Sequence, residues 1–319
     1  PDTGSFWRVI EEHKVASLFT APTAIRAIKK EDPEALELNK YKLNGLKSLF
    51  LAGERTDPNT IEWAQEHLNV PVIDHWWQTE TGWAICTNCM GIEFLPIKPG
   101  STGRPSPGMN VEVLNSEGFP VSENELGALA VKLPLPPGSF LTLWQAEERC
   151  RTAYFEEFPG YYSTSDAGII DEDGYVHVMS RTDDVINVAG HRLSTGLLEE
   201  VLASHPDIAE CAVLGVADSL KGQVPLGLLV LKTGVTREAN DLVADVVAMV
   251  RKNIGPVAAF KMATVIARLP KTRSGKILRG TIRKMADGET FKPPATIDDI
   301  GILDEVAKAL SDLGYPRTE

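Results

Sequence analysis

The stretch Asp74-His75-Trp76-Trp77-Gln78-Thr79-Glu80-Thr81-Gly82 decides the fold, because it comes directly after an apolar run that is typical of a buried strand. Three such runs, at residues 15–20, 46–52 and 70–74, alternate with helical patterns over residues 5–99. This alternation predicts an α/β fold whose strands are largely parallel. Open parallel sheets bind ligands at the carboxyl ends of their strands, so the quoted stretch is well placed for a site.

A second polar stretch, Ala52-Gly53-Glu54-Arg55, comes at the end of the preceding predicted strand and shares this placement. Helices are predicted between the strands, at residues 22–30 and 60–68. Asp57 is a candidate N-cap of the later helix, and Pro58 suits its first helical position. Both polar stretches therefore belong at one edge of the predicted sheet.

After Pro96 the sequence changes to short β-like runs punctuated by glycine and proline, which predict antiparallel strands in a small β-barrel or sheet on the same domain. These strands are predicted at residues 110–114, 127–133, 168–170 and 175–179, with a tight turn at Asp171-Glu172-Asp173-Gly174. The polar crossing Ser180-Arg181-Thr182-Asp183-Asp184 marks the predicted domain boundary. Residues 1–182 are thus α/β to about residue 99 and β-rich over about 100–182, and residues 183–319 form a second domain.

The sequence beyond the boundary predicts a smaller α+β domain, with helices at residues 195–203 and 238–253 and strands at residues 209–216, 226–232 and 263–268. The last strand leads into the polar loop Leu269-Pro270-Lys271-Thr272-Arg273-Ser274-Gly275-Lys276. A turn at Ser274-Gly275 places Lys276 just before a helical pattern at residues 277–285, and a partly helical tail follows Phe291. A lysine so placed suits phosphate oxygens; the alternative interpretation is an ordinary solvated basic turn.

The composition is that of an acidic globular protein. The 319 residues are 43% hydrophobic and carry a formal net charge of −12. The negative charge disfavours non-specific binding to nucleic acids or anionic membranes. Four cysteines fit a reducing compartment, and Cys86-x-x-Cys89 lacks the second nearby pair that a structural zinc site needs. The chain opens at Pro1 without methionine or a signal peptide, and we expect it to be part of a longer protein.

Five stretches, taken in order, resemble the motifs of the adenylate-forming acyl-CoA synthetases, and most closely the short-chain branch that activates acetate and propionate. They are residues 52–55, 74–82, 161–166, 180–192 and the lysine loop, residues 269–276. The resemblance extends over nearly the whole chain. Gly-Glu-Arg at residues 53–55 and Lys-Leu-Pro-Leu-Pro-Pro-Gly at residues 132–138 are more similar to propionyl-CoA synthetases than to acetyl-CoA synthetases.

The resemblance implies a two-step reaction that uses ATP, Mg²⁺, coenzyme A and a short-chain carboxylic acid. The carboxylate attacks the α-phosphate to give an acyl-adenylate and pyrophosphate, and the thiol of coenzyme A then displaces AMP. By motif position, Lys276 is catalytic, Thr79 contacts the α-phosphate and Glu80 lies at the magnesium ion. The implied nucleotide-binding residues are Gly53, Glu54, Arg55, Asp74, His75, Trp76, Gln78, Thr79, Asp166, Arg181 and Arg192.

Within that set, the resemblance implies that Asp166 and Arg181 bind the ribose hydroxyls and that Arg192 binds the phosphate. These roles suit a carboxylate acceptor and a guanidinium fork. Taken singly, each of these residues also fits a solvated loop carboxylate or a surface ion pair. Trp77 would close the acyl pocket and limit chain length, although adjacent tryptophans also serve as core or interface residues.

For the second domain the resemblance implies rotation about a hinge at Asp183 between the two half-reactions. Ala189 and Gly190 would then face the approaching thiol, and Arg251 would contact the nucleotide of coenzyme A; the alternatives are a turn residue for Asp183 and a helix-surface cation for Arg251. Acylation of Lys276 by a lysine acyltransferase, reversed by a deacylase, would remove the charge that adenylation needs.

One departure is the family's Ser/Thr/Gly-rich phosphate loop, which is not found in this sequence and which we expect upstream of Pro1. The chain is therefore expected to be the carboxyl-terminal half of a synthetase and to adenylate acids poorly alone. The alternatives are a non-catalytic nucleotide- or coenzyme-A-binding module and, less favoured, an adenylation domain that loads a carrier protein. The expected location is the cytoplasm, or the mitochondrial matrix in a eukaryote.

Overall fold

The computed structural model describes residues 2–273 and 275–316 of the chain. Ser274, half of the turn predicted in the lysine loop, lies outside the described residues, as do Pro1 and residues 317–319. The chain separates between Thr182 and Asp183 into two compact units. Within the described ranges, no helix has the length and apolarity needed to cross a bilayer.

The first unit combines a parallel sheet with two antiparallel sheets. Its helices are Ser5–His13 (α1), Pro22–Glu31 (α2), Pro58–Leu68 (α3) and Glu147–Tyr154 (α4). Its strands are Ser17–Thr20 (β1), Ser48–Leu51 (β2), Val72–Asp74 (β3), Trp76–Trp77 (β4), Ala84–Thr87 (β5), Arg104–Pro105 (β6), Val111–Leu114 (β7), Gly127–Lys132 (β8), Tyr161–Ile170 (β9) and Val176–Arg181 (β10). The predicted α/β class, with parallel strands followed by antiparallel ones, is confirmed.

The parallel sheet has the order β1-β2-β3, and Leu49 of β2 pairs with Leu18 on one side and Val72 on the other. Helices α1 to α3 pack on it through a core that includes Trp7, Ile25, Leu49 and Ile61. Parallel pairing brings the carboxyl ends of β2 and β3 to the same edge. The two polar stretches that follow these strands therefore begin side by side.

Helix α3 begins where the sequence predicts, because Asp57 caps it. Asp57 Oδ1 accepts the backbone N–H of Thr60 at 2.9 Å, and a proline takes the first helical position. Ile61, Ala64 and Leu68 are buried on the face toward the sheet. The helix thus fixes the segment that connects β2 with β3.

The antiparallel strands form a three-stranded sheet, β4-β5-β6, and a four-stranded sheet, β10-β9-β8-β7. Their inward side chains share one core, which includes Trp76, Ile85, Val131 and Tyr162. Antiparallel pairing begins at β4, earlier than the change in sequence texture after Pro96. The reason is that β4 to β6 are two to four residues long, too short to show an alternating pattern.

Two elements of the first unit differ from the sequence-based expectation. Strand β9 begins at Tyr161, whereas alternation predicts only residues 168–170, because a β-bulge after Ser163 interrupts the alternation. Helix α4 is not predicted, since Cys150 is its only buried residue and the sequence therefore shows no apolar stripe. Both elements prove to carry contacts at the candidate site.

The second unit is an α+β domain, as predicted. Its helices are Thr195–Ala203 (α5), Ala239–Asn253 (α6), Arg279–Ala286 (α7) and Ile302–Asp312 (α8), and its strands are Ile186–Val188 (β11), His191–Leu193 (β12), Ile208–Asp218 (β13), Gly222–Leu231 (β14) and Met262–Val265 (β15). The sheet has the order β12-β11-β14-β13, with β15 parallel to β14. Side chains alternate along β13, so that Val213 packs with α5 and α6 while Leu214 packs with α7 and α8.

The described residues of the lysine loop, 269–273 and 275–276, form a hairpin. The N–H of Thr272 donates to the carbonyl of Lys276 at 2.8 Å, and the N–H of Lys276 donates to the hydroxyl of Thr272 at 3.1 Å. Ile277 then pairs with Lys271. Helix α7 therefore begins at Arg279 rather than at residue 277 as the pattern predicts, because Ile277 is held in the hairpin between the carbonyl of Lys276 and the N–H of Leu278, which donates to the Pro270 carbonyl at 3.0 Å.

Candidate functional site

Asp166 is the buried centre of a polar cluster in the first unit. Trp76 Nε1 and Gln78 Nε2 donate to its Oδ2 at 2.9 and 2.8 Å, and Arg181 Nη1 donates to its Oδ1 at 3.3 Å. Asp166 is 8% exposed, and burial raises the pKa of its carboxyl group, which Arg181 and the other donors oppose. The structure thus brings together four residues that the sequence predicts to bind nucleotide.

A β-bulge in β9 aims Asp166 at its donors. Leu129 of β8 pairs with Asp166, while the next residue of β8 pairs with Ser163, so that Thr164 and Ser165 are additional. Ser165 has a φ of 56°, and the Thr164 hydroxyl accepts the N–H of Asp166 at 3.1 Å while it donates to the Leu129 carbonyl at 2.6 Å. Bulges of this kind redirect side chains near functional sites.

Gln78 connects this cluster to the turn that follows β4. Its Nε2 also donates to the carbonyl of Thr164 at 2.8 Å, and its Oε1 accepts the hydroxyl of Tyr162 at 2.6 Å. The side-chain amide is therefore satisfied at both ends by strand β9. Gln78 has little freedom left, so it holds the start of the turn in place.

The turn at Thr79–Thr81 exposes its first residue and is closed by local contacts. The N–H of Gln78 donates to the Thr81 hydroxyl at 3.2 Å. Gly82 ends the turn with a φ of 67°, and a Cβ there would lie 2.5 Å from the carbonyl oxygen of Gly138. Only glycine fits this close approach.

Glu80 is half-buried in the same turn, and one of its carboxylate oxygens is already engaged. Tyr154 of α4 donates its hydroxyl to Glu80 Oε1 at 2.8 Å. No donor among residues 2–273 and 275–316 contacts Oε2. In the same ranges, no group of three or more His, Cys, Asp or Glu side chains is arranged to bind a metal. A single available carboxylate oxygen fits Mg²⁺, which is commonly bound through one or two carboxylates together with nucleotide phosphates.

Asp74 is buried at the end of strand β3, and His75, which follows it, is half-buried. Burial raises the pKa of Asp74 to about 7, and the backbone N–H of Thr56 lies 3.4 Å from its Oδ2. Burial lowers the pKa of His75 to about 4; its ring stacks on Phe19 with centroids 5.2 Å apart and meets the edge of Phe50. His75 Nδ1 is buried and has no hydrogen-bond partner in the described part of the chain. The ring is therefore neutral at pH 7, and it comes directly after the end of β3.

The stretch after β2 presents its backbone more than its acidic side chain. Gly53 is exposed and Arg55 is half-buried. Glu54 accepts hydrogen bonds from the hydroxyl of Thr23 and from Arg26 Nη2, the latter at 2.5 Å, and so its carboxylate is turned toward α2. A ligand at this edge would meet the main chain of residues 53–54.

The two adjacent tryptophans have different environments. Trp76 is 7% exposed and pairs with Cys86, while Trp77 is 40% exposed and pairs with Ala84, with an irregularity in register between them. Trp76 is therefore a core residue that also donates to Asp166. Trp77 keeps enough free surface to meet a ligand.

The predicted residues of the second unit lie on separate elements and are exposed. Asp183 precedes β11, Ala189 and Gly190 form the turn between β11 and β12, Arg192 is on β12, and Arg251 is in the last turn of α6. Exposure keeps these side chains available to ligands.

Lys276 is exposed at the end of the hairpin. Helix α7, which follows it, is held in place by two arginine contacts. Arg279 forms a two-pronged ion pair with Glu199 at 2.8 and 2.9 Å. Arg283 Nη1 donates to the backbone carbonyl of Asp183 at 2.8 Å. Helix α7 thereby connects the lysine hairpin with the residue predicted to be the hinge.

Sequence reasoning assigns no role to three residues that support the site, namely Tyr154, Tyr162 and Thr164. Tyr162 and Thr164 lie within the motif at residues 161–166, and Tyr154 belongs to a concentration of aromatic residues at 154–162. Aromatic residues usually fill a core. Here Tyr154 and Tyr162 fill the core and also support the site, because their rings stack while their hydroxyls donate to Glu80 and Gln78 of the turn.

The turn Ala189-Gly190 leads to a prediction about stability. Both residues have positive φ, 49° and 90°, which is the requirement of a type I′ turn between two strands. Alanine is strained in the left-handed region and asparagine is favoured there. We expect Ala189→Asn to raise the free energy of unfolding by about 1 kcal/mol, measured by urea denaturation. Gly190→Ala, the control, should lower it, and a loss of stability in Ala189→Asn would contradict this account.

Comparison with known proteins gives two family matches: the AMP-binding enzyme model matches residues 1–136, and the AMP-binding enzyme C-terminal domain model matches residues 197–276. Human mitochondrial acyl-CoA synthetase short-chain family member 3 is 50% identical over 311 residues, which cover 97% of this chain and 45% of that protein. Propionate–CoA ligase of Escherichia coli is 43% identical over 318 residues, 98% of this chain and 50% of that protein. An uncharacterised protein of Pseudomonas aeruginosa is 56% identical over 310 residues, which cover 97% of this chain and 49% of that protein. The chain spans about half the length of these relatives.

Solved structures with the same fold include the amide bond synthetase McbA from Marinactinospora thermotolerans, with a TM-score of 0.76 and 24% identity over 89% of this chain and 55% of that chain. An anthranilate CoA ligase in complex with anthranoyl-AMP matches with a TM-score of 0.74 and 26% identity, over 89% of this chain and 53% of that chain. The motif order, the fold and these matches agree. The chain belongs to the AMP-binding, adenylate-forming enzyme family, and within it resembles the short-chain acyl-CoA synthetases.

Proposed function

We propose that the full-length protein carrying this chain is an AMP-forming acid–thiol ligase that joins propionate, or acetate, to coenzyme A. The carboxylate oxygen of the acid bonds to the α-phosphorus of ATP as pyrophosphate leaves. The thiol sulfur of coenzyme A then bonds to the acyl carbon as AMP leaves. The observation that supports this proposal best is the convergence of Trp76, Gln78 and Arg181 on the buried carboxylate of Asp166.

In this proposal Asp166 binds the ribose of the nucleotide. An ionised carboxylate offers about four acceptor positions, of which Trp76, Gln78 and Arg181 take three. One position remains for a ribose hydroxyl, and burial strengthens a hydrogen bond made there. Because the three donors fix the carboxylate beforehand, little ordering is needed when the nucleotide binds.

The adenine would lie against the edge formed by the ends of β2 and β3. We assign this contact to the main chain of Gly53 and Glu54, with Arg55 and Asp74 beside it, and to the neutral ring of His75. The exposed Thr79 would contact the α-phosphate and Arg192 a phosphate oxygen. Glu80 would hold Mg²⁺, which when bound neutralises charge on the nucleotide phosphates.

The second unit would act differently in each half-reaction. Lys276 would stabilise the charge that builds up on the α-phosphoryl group during adenylation. Asp183 would serve as the hinge, Ala189-Gly190 would line the approach of the thiol, and Arg251 would contact coenzyme A. The exposure of all these residues is compatible with such roles.

Acylation of Lys276 would regulate the first half-reaction, because it removes the positive charge. The exposed side chain is accessible to an acyltransferase and a deacylase. Mass spectrometry of the natively expressed protein should detect this modification. Finding Lys276 always unmodified would contradict the regulatory proposal and leave the catalytic one unaffected.

Trp77 would set the length limit of the acid, since its indole keeps free surface beside the exposed turn. Trp77→Gly is expected to shift the preference from propionate toward acids longer by several carbons, because each methylene contributes about 1–3 kcal/mol of discrimination. The measurement is kcat/KM for a series of straight-chain acids. Trp83→Gly, which removes a 71% exposed tryptophan nearby in sequence, is the control. An unchanged chain-length profile in Trp77→Gly would show that Trp77 does not limit the length of the acid.

The decisive experiment measures pyrophosphate release and acyl-CoA formation by the full-length protein with acetate, propionate and butyrate. Both products should depend on the acid, and propionate should give the highest kcat/KM. Binding of ATP without acid-dependent pyrophosphate release would favour a non-catalytic nucleotide-binding module instead. The proposed location is the cytoplasm, or the mitochondrial matrix in a eukaryote, in line with the mitochondrial relatives.

A further inference from the structure

We propose that Tyr154 is a positioning residue that orients the Glu80 carboxylate toward the cation of a bound nucleotide. The inference rests on the proposed function of Glu80 as the residue that holds Mg²⁺. The Tyr154 hydroxyl donates to Glu80 Oε1 at 2.8 Å and so takes up one carboxylate oxygen. Oε2 accepts no hydrogen bond from a described residue, and it is left as the oxygen that can face a cation.

The segment that carries Tyr154 holds Glu80 at two points. The backbone N–H of Phe140 donates to the main-chain carbonyl of Glu80 at 2.7 Å. The ring of Phe140 meets the ring of Tyr154 edge to face, with centroids 5.2 Å apart and planes at 73°. Main chain and side chain of Glu80 are thus held by two residues that also pack on each other.

The Tyr154 ring is itself fixed from the opposite end of the turn. It stacks on Tyr162 with centroids 5.6 Å apart and an interplanar angle of 16°. The hydroxyl of Tyr162 donates to Gln78, the residue at the start of the turn. The stacked tyrosines therefore connect Gln78 with Glu80 independently of the backbone.

The direction of the hydrogen bond from Tyr154 to Glu80 is fixed, because an ionised carboxylate offers only acceptors and the Tyr154 hydroxyl is the donor. Partners that orient a metal-binding carboxylate typically change metal affinity about 10- to 100-fold when they are removed. The same order of effect is expected here.

The test uses the full-length protein and the variants Tyr154→Phe and Tyr161→Phe. Phenylalanine keeps the ring of Tyr154 and its packing while it removes the hydroxyl. Tyr161→Phe is a matched control, since Tyr161 also donates to a carboxylate, Glu112, at 2.6 Å, but outside the site. Two readouts apply: the Mg²⁺ concentration that gives half-maximal acid-dependent pyrophosphate release, and the dissociation constant of Mn²⁺ in the presence of ATP, measured by electron paramagnetic resonance.

We expect Tyr154→Phe to raise both values about tenfold, with no such change in Tyr161→Phe. Unchanged values in Tyr154→Phe would overturn the inference, and so would equal changes in both variants. Glu80→Gln distinguishes this failure from that of the proposed function. If Glu80→Gln raises both values while Tyr154→Phe does not, only the role of Tyr154 is wrong. If Glu80→Gln leaves both unchanged, the role of Glu80 itself is wrong.

Discussion

Replacing Lys276 by alanine is expected to slow acid-dependent adenylation by about a hundredfold to a thousandfold, the usual effect of removing one group that stabilises transition-state charge. The loss follows from the charge that develops on the α-phosphoryl group, which an exposed ammonium on a flexible stem can neutralise. Thioester formation transfers the acyl group from AMP to sulfur and builds up less phosphate charge. The second half-reaction should therefore change much less.

The two half-reactions can be measured separately in the full-length protein. Pyrophosphate release from ATP and propionate reports the first, and AMP release from supplied propionyl-adenylate and coenzyme A reports the second. Lys284→Ala removes an exposed cation on α7 and serves as the control. An equal loss in both half-reactions would show that Lys276 supports the fold or the nucleotide in general. No loss in the first would refute the assignment.

Asp166→Ala is expected to lower the free energy of unfolding by about 3 kcal/mol, because it leaves buried donors without their charged acceptor. Trp76 Nε1 loses the acceptor it has in the described structure, while Gln78 Nε2 and Arg181 Nη1 are left with the carbonyl of Thr164 as their acceptor. The same substitution should abolish measurable nucleotide binding, since the proposed ribose acceptor is gone.

Urea denaturation monitored by tryptophan fluorescence measures the first effect, and equilibrium binding of AMP to the full-length protein measures the second. Asp173→Ala is the control, since Asp173 is an exposed carboxylate that pairs with Lys98 and contributes at most about 1 kcal/mol. A loss below about 1 kcal/mol in Asp166→Ala would show that the cluster does not stabilise the unit. Retained AMP affinity would remove Asp166 from the nucleotide site.

The α/β class was predictable because its signals are local. The apolar runs before Gly53 and Asp74 mark buried strands, and the Asp57 cap marks the start of α3. The resemblance of the motifs also placed Trp76, Gln78, Asp166 and Arg181 in one group, and the structure brings these four into contact.

The support of the site was not predictable, because it depends on contacts between distant segments. Tyr154 and Glu80 are 74 positions apart, and α4 has no apolar stripe to reveal a helix. The bulge at Thr164 also conceals half of β9, since additional residues break the alternation that identifies strands. A hydrogen bond between hydroxyl and carboxylate leaves no periodic signal in either segment.

The hairpin of the lysine loop has a consequence for conformational entropy. One main-chain hydrogen bond and one to the Thr272 hydroxyl hold Thr272 against Lys276, and Asp298 N–H donates to the Lys271 carbonyl at 3.0 Å. With the backbone of Lys276 ordered in advance, engagement with a phosphate restricts chiefly the rotamers of its side chain, at a cost of about 1.5–2 kcal/mol. An unstructured loop would lose a further 1–2 kcal/mol or so for each residue ordered. Most of the conformational entropy needed to position the Lys276 ammonium is therefore already lost on folding, before any substrate binds.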